Sequence, residues 1–439
     1  MARQASLSSL RREVGRLAVP ALGALAAEPL VSLVDTGFVA TLGRIPLAAL
    51  GVDAAILGLA FVAFNFLQYG VTPLIGGALG RGDDAAIGRA TRHALILGGL
   101  IGLTTSAVLI LGAPFLLGLM AAPTEVVPDA TAYLRIRAIS GAFVLTVMVG
   151  HGVFRGLQDT RTPLAITLGL NVVNLVLDAV LIFGLGTGLV GAAWASVIAQ
   201  GSGAIWFLVA LRRRGIPLVG DIDRSEMAAL IRVGGDLVVR TASLVLTLTI
   251  ATRVAASLGA ATVAAHQVAT QVFLVLGLGI DGLAIAGQSM ISVRLGAGES
   301  SEARRVGDLL LRWGAIAGVT LGAALFLVRG PVAAMFSSDP ATAAIAEEFL
   351  AWVAALLVPG ALVFTWDGIY LGASRFRFLA VSTFVAAAGA IAYLAMRPPW
   401  PFGTGPHQVW AGILLLVVLR GIPQAIDYAG SGASSANSG

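Results

Sequence analysis

Twelve long apolar runs divide this sequence, and they restrict the chain to a helical fold within a membrane. A hydrocarbon layer about 30 Å thick requires roughly 20 apolar residues per crossing helix. Hydrophobic residues make up 57% of the 439 residues and charged residues only 12%, about half the charged share of a soluble globular domain. We therefore predict an all-α integral membrane protein with twelve transmembrane helices. The predicted spans are residues 17–41, 48–75, 93–118, 132–154, 163–184, 190–211, 229–255, 264–291, 307–328, 346–371, 378–396 and 408–427.

The arginines are unevenly distributed between the two sides of these spans, and this predicts the orientation of the chain. Cytoplasmic loops of membrane proteins carry an excess of positive charge, and all 28 basic residues here are arginines. With both termini in the cytoplasm, 21 arginines lie on the inner side and 5 on the outer side. We therefore predict a multi-pass protein of the bacterial inner (plasma) membrane with cytoplasmic N- and C-termini and no nucleic-acid partner. The five outer arginines are Arg44, Arg135, Arg137, Arg329 and Arg397.

The two halves of the sequence resemble each other at a constant spacing of 216 residues. Each half has six spans, an even number, so both halves face the same way across the membrane, as in the parallel repeats of transporters. We predict two pseudo-symmetric six-helix lobes, residues 1–211 and 229–429, joined by a cytoplasmic linker over residues 212–228. The low-complexity tail, residues 430–439, is predicted to be disordered. Residues that recur in this register include Leu42-Gly43 as Leu258-Gly259, Gly152 as Gly368, Gly156 as Gly372 and Arg161 as Arg377.

Acidic and amide side chains fall inside several spans of the first half. An ionisable group at membrane depth is costly, so each one indicates a function or a specific partner. Asp35 lies in the first span, and its repeat partner is Ala251, so the duplicated architecture does not require a carboxylate there. Asn174 and Asp178 in the fifth span are spaced i,i+4 and share one helix face. A structural role, with hydrogen bonds to hydroxyl or backbone groups, stays open for Asp35 and Asp178.

Further polar residues within the spans are candidates for the wall of a substrate cavity. Asp281 matches Asn65 in the repeat, and Asp367 matches His151, so both halves are polar at these positions. Glu28 precedes a proline in the first span, and a water-filled cavity would accommodate it. The candidate cavity residues are Glu28, Asn65, Gln68, His151, Gln200, His266, Asp281 and Asp367.

The remaining charged and metal-binding residue types have simpler explanations. Asp236 and Arg240 in the seventh span are spaced i,i+4, which predicts a neutralising ion pair. The four histidines lie far apart in the chain and form no zinc site, so His266 is expected to pack or to line a cavity. The chain has no cysteine and no P-loop, which excludes thiolate chemistry and transport driven directly by ATP. We predict a protein that is not an enzyme and needs no cofactor.

Five stretches of the sequence are similar to one known family. They are EPLVSLVDTGFVATLG at residues 28–43, GVFRGLQDTRTPL at 152–164, NVVNLVLD at 171–178, AAHQVATQVF at 264–273 and LGASRFRF at 371–378. With them, residues 14–425 resemble the multidrug and toxic compound extrusion (MATE) family, most closely its DinF-like branch. The resemblance implies a V-shaped fold of two six-helix lobes, and efflux of cationic or amphipathic compounds driven by protons or sodium ions.

The resemblance also implies roles for individual residues. Asp35 falls on the position of the cation-coupling carboxylate of the DinF-like branch, and Asn174, Asp178 and Ser196 fall on its partners. The serine replaces a threonine of the family pattern and keeps the hydroxyl group. These four residues are a possible sodium site, and no other metal site is expected. Pro20 falls on the proline at which the first helix of this family bends.

Two functions are compatible with these features. The favoured one is secondary active antiport, in which H+, or as second choice Na+, enters while an amphipathic or cationic compound leaves by alternating access. The alternative is a lipid or lipid-linked oligosaccharide flippase of the same superfamily. Such a flippase would hold its pyrophosphate with basic residues, and only Arg240 and Arg253 lie in a span interior, which favours the exporter. The chain is expected to act as a monomer surrounded by membrane lipid.

Overall fold

The computed structural model describes residues 7–337, 339–396 and 405–436, and over these residues the chain forms helices and no strand. The side chains of Leu7, Glu28 and residues 431–436 are not described, so the predicted cavity role of Glu28 lies outside the described part of the molecule. The helices of the first half are α1 (Leu7–Ala40), α2 (Arg44–Val62), α3 (Phe66–Tyr69), α4 (Val71–Arg81), α5 (Asp84–Leu119), α6 (Val127–Ala138), α7 (Gly141–Gly156), α8 (Arg161–Asp178) and α9 (Gly188–Arg213). Those of the second half are α10 (Arg224–Ser257), α11 (Ala260–Gly296), α12 (Ser300–Phe336), α13 (Pro340–Gly372), α14 (Phe376–Met396) and α15 (His407–Ala436).

These helices match the predicted membrane spans. Within the described residues, 11 helical segments are long and apolar enough to cross a membrane, and the number is 12 if α6 and α7 count as one span bent by 49°. The second span is composite, because a 3-10 turn at Ala63–Asn65 and the short α3 connect α2 to α4. The last helix continues to Ala436, into the tail that composition predicts to be disordered. Extending an existing helix fixes one residue per added hydrogen bond, which costs less than starting a new one.

The predicted duplication is visible in how the helices approach each other. A Cβ atom at Gly152 in α7 would lie 2.9 Å from the backbone oxygen of Gln68. A Cβ atom at Gly368 in α13 would lie 2.4 Å from the backbone oxygen of Ala284. Both pairs are related by the spacing of 216 residues, so the same helix crossing recurs in each half. Only glycine allows backbones to approach this closely.

The chain divides into two compact units, and α1 and α10 each contribute to both. The first unit is Val19–Gly234, and the second comprises the residues up to Ala18 together with those from Gly235 onwards. The points at which α1 and α10 pass from one unit to the other are again 216 residues apart. The core of the first unit is formed by apolar residues of α1, α2, α5, α6 and α9. The core of the second is formed mainly by α10, α11, α13 and α15 around Phe349 and Trp410.

Candidate functional site

Three of the four residues predicted to couple cation movement line one cavity of the first unit. The cavity has a volume of about 190 Å³, and its lining includes Asp35 from α1, Asn174 from α8 and Ser196 from α9. Asn174 Nδ2 is 3.5 Å from Ser196 Oγ, a long hydrogen bond that connects α8 to α9. Arg137 from α6 and Gln200 from α9 also belong to the polar part of the wall, as do Ser32 and Asn171. The cavity therefore collects side chains from four helices that are distant in the sequence.

The fourth predicted residue, Asp178, is not among the residues that line this cavity, but it interacts with Asp35. Their carboxyl groups interact electrostatically, and the repulsion between them is relieved when one of the two carries a proton. Asp178 is only 1% exposed, and neither of its oxygens accepts a hydrogen bond from a donor in the described residues. When two neighbouring carboxyl groups are buried in a region of low dielectric constant, ionisation of both is energetically unfavourable. The pair can therefore hold a proton or take up a small cation.

The backbone around Asp178 is unusual for a membrane helix. Asp178 is the last residue of α8, and a π-helical turn follows at Ala179–Gly184. Turns of this type are rare and frequently occur at functional sites, because the wider turn redirects side chains and frees backbone groups. The turn ends the regular helix at the carboxylate that interacts with Asp35.

Sequence reasoning missed two polar neighbours of this pair. Arg137 interacts electrostatically with both Asp35 and Asp178, although the arginine count assigned it to the outer side. Tyr133, one turn earlier on α6, interacts with Arg137 and with Asp35 and is 3% exposed. Both residues lie in the predicted span 132–154. An arginine within a membrane span is unusual, and this could have marked Arg137 as a candidate site residue from the sequence.

A second, larger cavity adjoins the first and contains four of the predicted cavity residues. It has a volume of about 360 Å³ and shares Asn171 and Gln200 with the smaller cavity. His151 is linked to Thr167 by a contact of 3.2 Å between Nε2 and Oγ1. The predicted residues in its wall are Asn65, Gln68, His151 and Gln200, and Arg155 and Thr167 also line it.

The predicted cavity residues of the second unit have different surroundings. Asp367 is 4% exposed and accepts hydrogen bonds from Arg240 at 2.6 Å, Arg420 at 2.5 Å and Gln424 at 2.8 Å. Arg240 thus pairs with Asp367 in another helix, where the i,i+4 spacing predicted Asp236. Asp367 is buried whereas Asp236 is half-buried, and opposite charges attract more strongly where the effective dielectric constant is lower.

The other two members of this set are a buried histidine and a half-buried aspartate. His266 is 1% exposed, with Nε2 at 3.1 Å from Thr252 Oγ1 and its ring 5.7 Å from that of Trp410. It packs in the core of the second unit, the alternative that the sequence left open. Asp281 is half-buried on α11.

Pro20 lies within an uninterrupted helix, α1, close to the point where α1 passes from one compact unit to the other. A proline removes one backbone donor and crowds the preceding turn, so a helix bends most easily there. The position is suited to a hinge in the helix that carries Asp35.

Comparisons with known proteins give a consistent result. The MatE family model matches residues 20–180 and again residues 237–395. The chain is 33% identical to Protein DETOXIFICATION 44, chloroplastic, of Arabidopsis thaliana, over 94% of this chain and 81% of the relative. It is 27% identical to DNA damage-inducible protein F of Escherichia coli, over 96% of this chain and 92% of the relative. A crystal structure of MATE in the bent conformation superposes with a TM-score of 0.89 at 20% identity, covering 97% of both chains.

Proposed function

Because the chain belongs to the MatE family, whose members are transporters and not enzymes, we propose that it is a cation-coupled exporter of amphipathic or cationic compounds. In this proposal a cation enters the cell while the compound leaves by alternating access. The observation that carries the proposal is the interacting pair of Asp35 and Asp178 at the cavities of the first unit. These carboxyl groups supply a site whose charge changes during transport.

The proton is the coupling ion that this pair favours over sodium. Two interacting carboxyl groups in a buried site titrate as a unit, and uptake of one proton removes the repulsion between them. Uptake of one proton cancels one negative charge and changes the hydrogen bonds between α1, α8 and α9. Sodium is the second choice, because Asp35, Asp178, Asn174 and Ser196 also offer oxygen ligands.

The adjoining larger cavity is the proposed binding place of the exported compound. Its wall combines polar groups with apolar side chains such as Phe61, Met148 and Leu170, a mixture that suits amphipathic molecules. A flexible methionine adapts to ligands of different shape. A cation bound there lies beside the carboxyl pair, so proton and compound oppose each other electrostatically. Opposed binding of this kind couples the two ligands.

The proposed movement is a bend of α1 near Pro20. Ala24 and Leu25 of α1 line the larger cavity, and Asp35 of the same helix lines the smaller one. Protonation from outside would change the bonds of Asp35, and a bend of α1 would then shrink the cavity and expel the compound. Release of the proton inside would reset the transporter.

Transport measurements in proteoliposomes test the proposal. A fluorescent amphipathic cation is offered to the purified protein under an imposed pH gradient, and then under a sodium gradient. The native protein should accumulate it under the pH gradient, whereas Asp35→Asn should fold normally but lose gradient-driven accumulation. Asp178→Asn should behave nearly the same. Asp129→Asn, an acid on α6 outside the cavities, is the control that should transport normally.

Two results would contradict this assignment. Accumulation by Asp35→Asn against a gradient, with unchanged pH dependence, would remove the carboxyl pair from the mechanism. Accumulation of the native protein driven by sodium alone, with no response to pH, would replace the proton with sodium.

The flippase alternative gains one supporting observation. Arg137 and Arg155 line the two cavities of the first unit, and basic groups of this kind can hold a phosphate. Translocation of a pyrophosphate-linked lipid in the same proteoliposomes would favour the flippase. Arg155→Gln should impair lipid translocation but leave export of a cation measurable if both assays are run side by side.

The orientation proposed from the arginines has its own test. Since the chain has no cysteine, a cysteine introduced at position 213 in the proposed cytoplasmic linker reports its side of the membrane. An impermeant reagent applied to intact cells should leave it unlabelled. Labelling from outside would reverse the proposed orientation. The proposed monomer is checked by the mass of the detergent-solubilised protein.

A further inference from the structure

Asp53 is a carboxyl group buried in the apolar core of the first unit. It lies on α2 and is 0% exposed. Neither of its two oxygens accepts a hydrogen bond from any donor in the described residues. An unpaired carboxylate at such a position is far more costly than the protonated acid. The buried residues on the same face of α2 are Ala49, Leu50, Ile56 and Leu57.

A titratable group that interacts with Asp53 also interacts with a member of the carboxyl pair. On α6, Tyr133 interacts electrostatically with Arg137, Asp35 and Asp53. Tyr133 therefore interacts with the carboxyl groups of both Asp35 on α1 and Asp53 on α2. The residues of α5 in the same core do not titrate; they are Leu109, Ala113 and Leu117. Within the described residues, α6 therefore provides a connection between Asp53 and the carboxyl pair.

The duplicated architecture does not require polar residues at the positions of Asp53, the carboxyl pair, Tyr133 and Arg137. The residues 216 positions later, in the second unit, are at most 1% exposed and lie together in one apolar cluster. The fold therefore packs well with hydrocarbon where the first unit has acids, a tyrosine and an arginine. Asp35, Asp53, Tyr133, Arg137 and Asp178 correspond to Ala251, Ala269, Phe349, Val353 and Leu394.

We propose that Asp53 is a second proton-binding site of the first unit, which binds and releases its own proton during transport. The proton resides on a carboxyl oxygen of Asp53 in the described conformation and leaves when the core around α2 opens to water. This inference rests on the proposed proton coupling at Asp35 and Asp178, and it adds one further proton to that pair.

Arg137 supplies the link between the two proton sites. Its Nε has no hydrogen-bond partner among the described residues, so the guanidinium has donor capacity to spare. When the carboxyl pair is protonated, it attracts Arg137 less. The guanidinium can then stabilise an ionised Asp53 electrostatically, with Tyr133 interacting with both groups. Loss of the proton from Asp53 is therefore favoured after the pair has gained one. Such an exchange would move a proton between α1 and α2 without leaving two unpaired charges in the core.

Infrared difference spectra between high and low pH test the inference on the purified full-length protein. A carboxylic acid gives a carbonyl band that vanishes on ionisation. The native protein should show such a band from the carboxyl pair and another from Asp53. Asp53→Asn should lose one band that Asp35→Asn and Asp178→Asn both keep, and Asp129→Asn should leave all bands in place.

A transport readout accompanies the spectra. The number of protons moved per exported molecule should fall in Asp53→Asn, whereas Asp35→Asn should abolish coupled transport altogether. The two proposals are separable, because the band of Asp53 is measured without any transport and persists in Asp35→Asn. If Asp35→Asn transports normally while the band of Asp53 is present, only the coupling proposal fails.

Asp53→Ala is a second variant for the case that Asp53→Asn does not fold. The residue equivalent to Asp53 in the second half is Ala269, which shows that alanine fits this packing. Spectra of Asp53→Asn and Asp53→Ala identical to those of the native protein across the pH range would overturn the inference. An unchanged number of protons per molecule would also overturn it. If neither variant folds, the carboxyl group is structural and the inference is wrong.

Discussion

Arg240 Nη2 donates a hydrogen bond of 2.6 Å to Oδ2 of Asp367, and this bond joins α10 to α13 inside the second unit. Arg420 donates to the same oxygen at 2.5 Å, and Gln424 donates to Oδ1 at 2.8 Å. Asp367 thus has donors on both oxygens, whereas Asp178 in the first unit has none among the described residues. A carboxylate held between two guanidinium groups stays ionised. Asp367 is therefore suited to holding neighbouring helices together through ion pairs, whereas Asp178 is suited to exchanging a cation.

The first prediction concerns the contribution of the Asp367 ion pairs to the stability of the fold. Asp367→Asn leaves Arg240 and the buried Arg420 without their counter-charge, and removal of one partner from a buried ion pair costs about 3–5 kcal/mol. The variant should unfold at lower denaturant concentration than the native protein in the same detergent. A second change, Arg420→Gln, should recover part of the loss, because it removes one of the two arginines that the Asp367 carboxylate neutralises.

The same variant distinguishes the roles of the two units. Folded Asp367→Asn should keep detectable ion-driven transport, although its affinity for the compound can change. If well-folded Asp367→Asn lacks coupling and Asp35→Asn retains it, the coupling site lies in the second unit instead.

The second prediction concerns the repeated close approach of helices. A Cβ atom at Gly368 would lie 2.4 Å from a backbone oxygen of Ala284, so Gly368→Ala must push α13 away from α11. Overpacking of this kind costs about 1–3 kcal/mol. The matched control is Gly99→Ala on α5, where a Cβ would meet nothing within 4 Å. Thermal unfolding should show a loss for the first variant and none for the second.

The third prediction concerns the start of α13, outside the spans. Asp339 accepts hydrogen bonds from the hydroxyl and the backbone N–H of Thr342, and these bonds hold the pKa of Asp339 below its ordinary value of 3.8. Because the folded-state pKa is lowered, the carboxylate stabilises the fold fully above that value, and this stabilisation is lost as pH falls through the lowered pKa.

Asp339→Ala should therefore lower the melting temperature at pH 7, and the difference from the native protein should shrink below about pH 4. Glu299→Ala is the control, because Glu299 precedes α12 at the equivalent position but makes no side-chain cap. A difference for Asp339→Ala that is independent of pH would show that the charge does not contribute.

The fourth prediction concerns the segment that leads into α10. Glu226 forms an ion pair with Arg89 at 3.0 Å, and its Oε2 lies 3.3 Å from Nδ1 of His93. Nε2 of His93 accepts the backbone N–H of Asp223 at 3.0 Å. These contacts tie the segment to α5. Glu226→Gln should speed the labelling of a cysteine introduced at Ile222 by about twofold to fivefold, since a half-exposed ion pair contributes at most about 1 kcal/mol.

Two controls make the labelling result specific. Asp84→Asn removes an exposed acid from the start of α5 and should leave the rate unchanged. Hydrogen bonds from the Ser225 hydroxyl and from backbone N–H groups hold the pKa of Asp223 below its ordinary value, so the local turn at Asp223 should persist in both variants. Equal rates in Glu226→Gln and Asp84→Asn would show that the contacts of Glu226 with α5 do not anchor the segment.

The sequence predicted part of the site because its members follow helical spacing. Asn174 and Asp178 share a face by their i,i+4 separation, and the register of the repeat marked Asp35 as unmatched in the second half. No spacing could reveal that Arg240 reaches Asp367, because the choice of partner depends on which helix packs alongside. Asp53 was overlooked for the same reason, although an acid inside the predicted span 48–75 was a visible signal.

The sequence by itself determined the spans and the duplication, because the thickness of a membrane sets the length of an apolar run and a repeat preserves its register. It did not determine which polar groups meet inside the first unit. Asp35, Asp178 and Arg137 come from α1, α8 and α6, and their contacts arise only when these helices pack together. The tertiary structure decided this because electrostatic interactions act through space. Burial and the neighbouring groups determine whether a carboxyl group forms a structural ion pair or binds a proton.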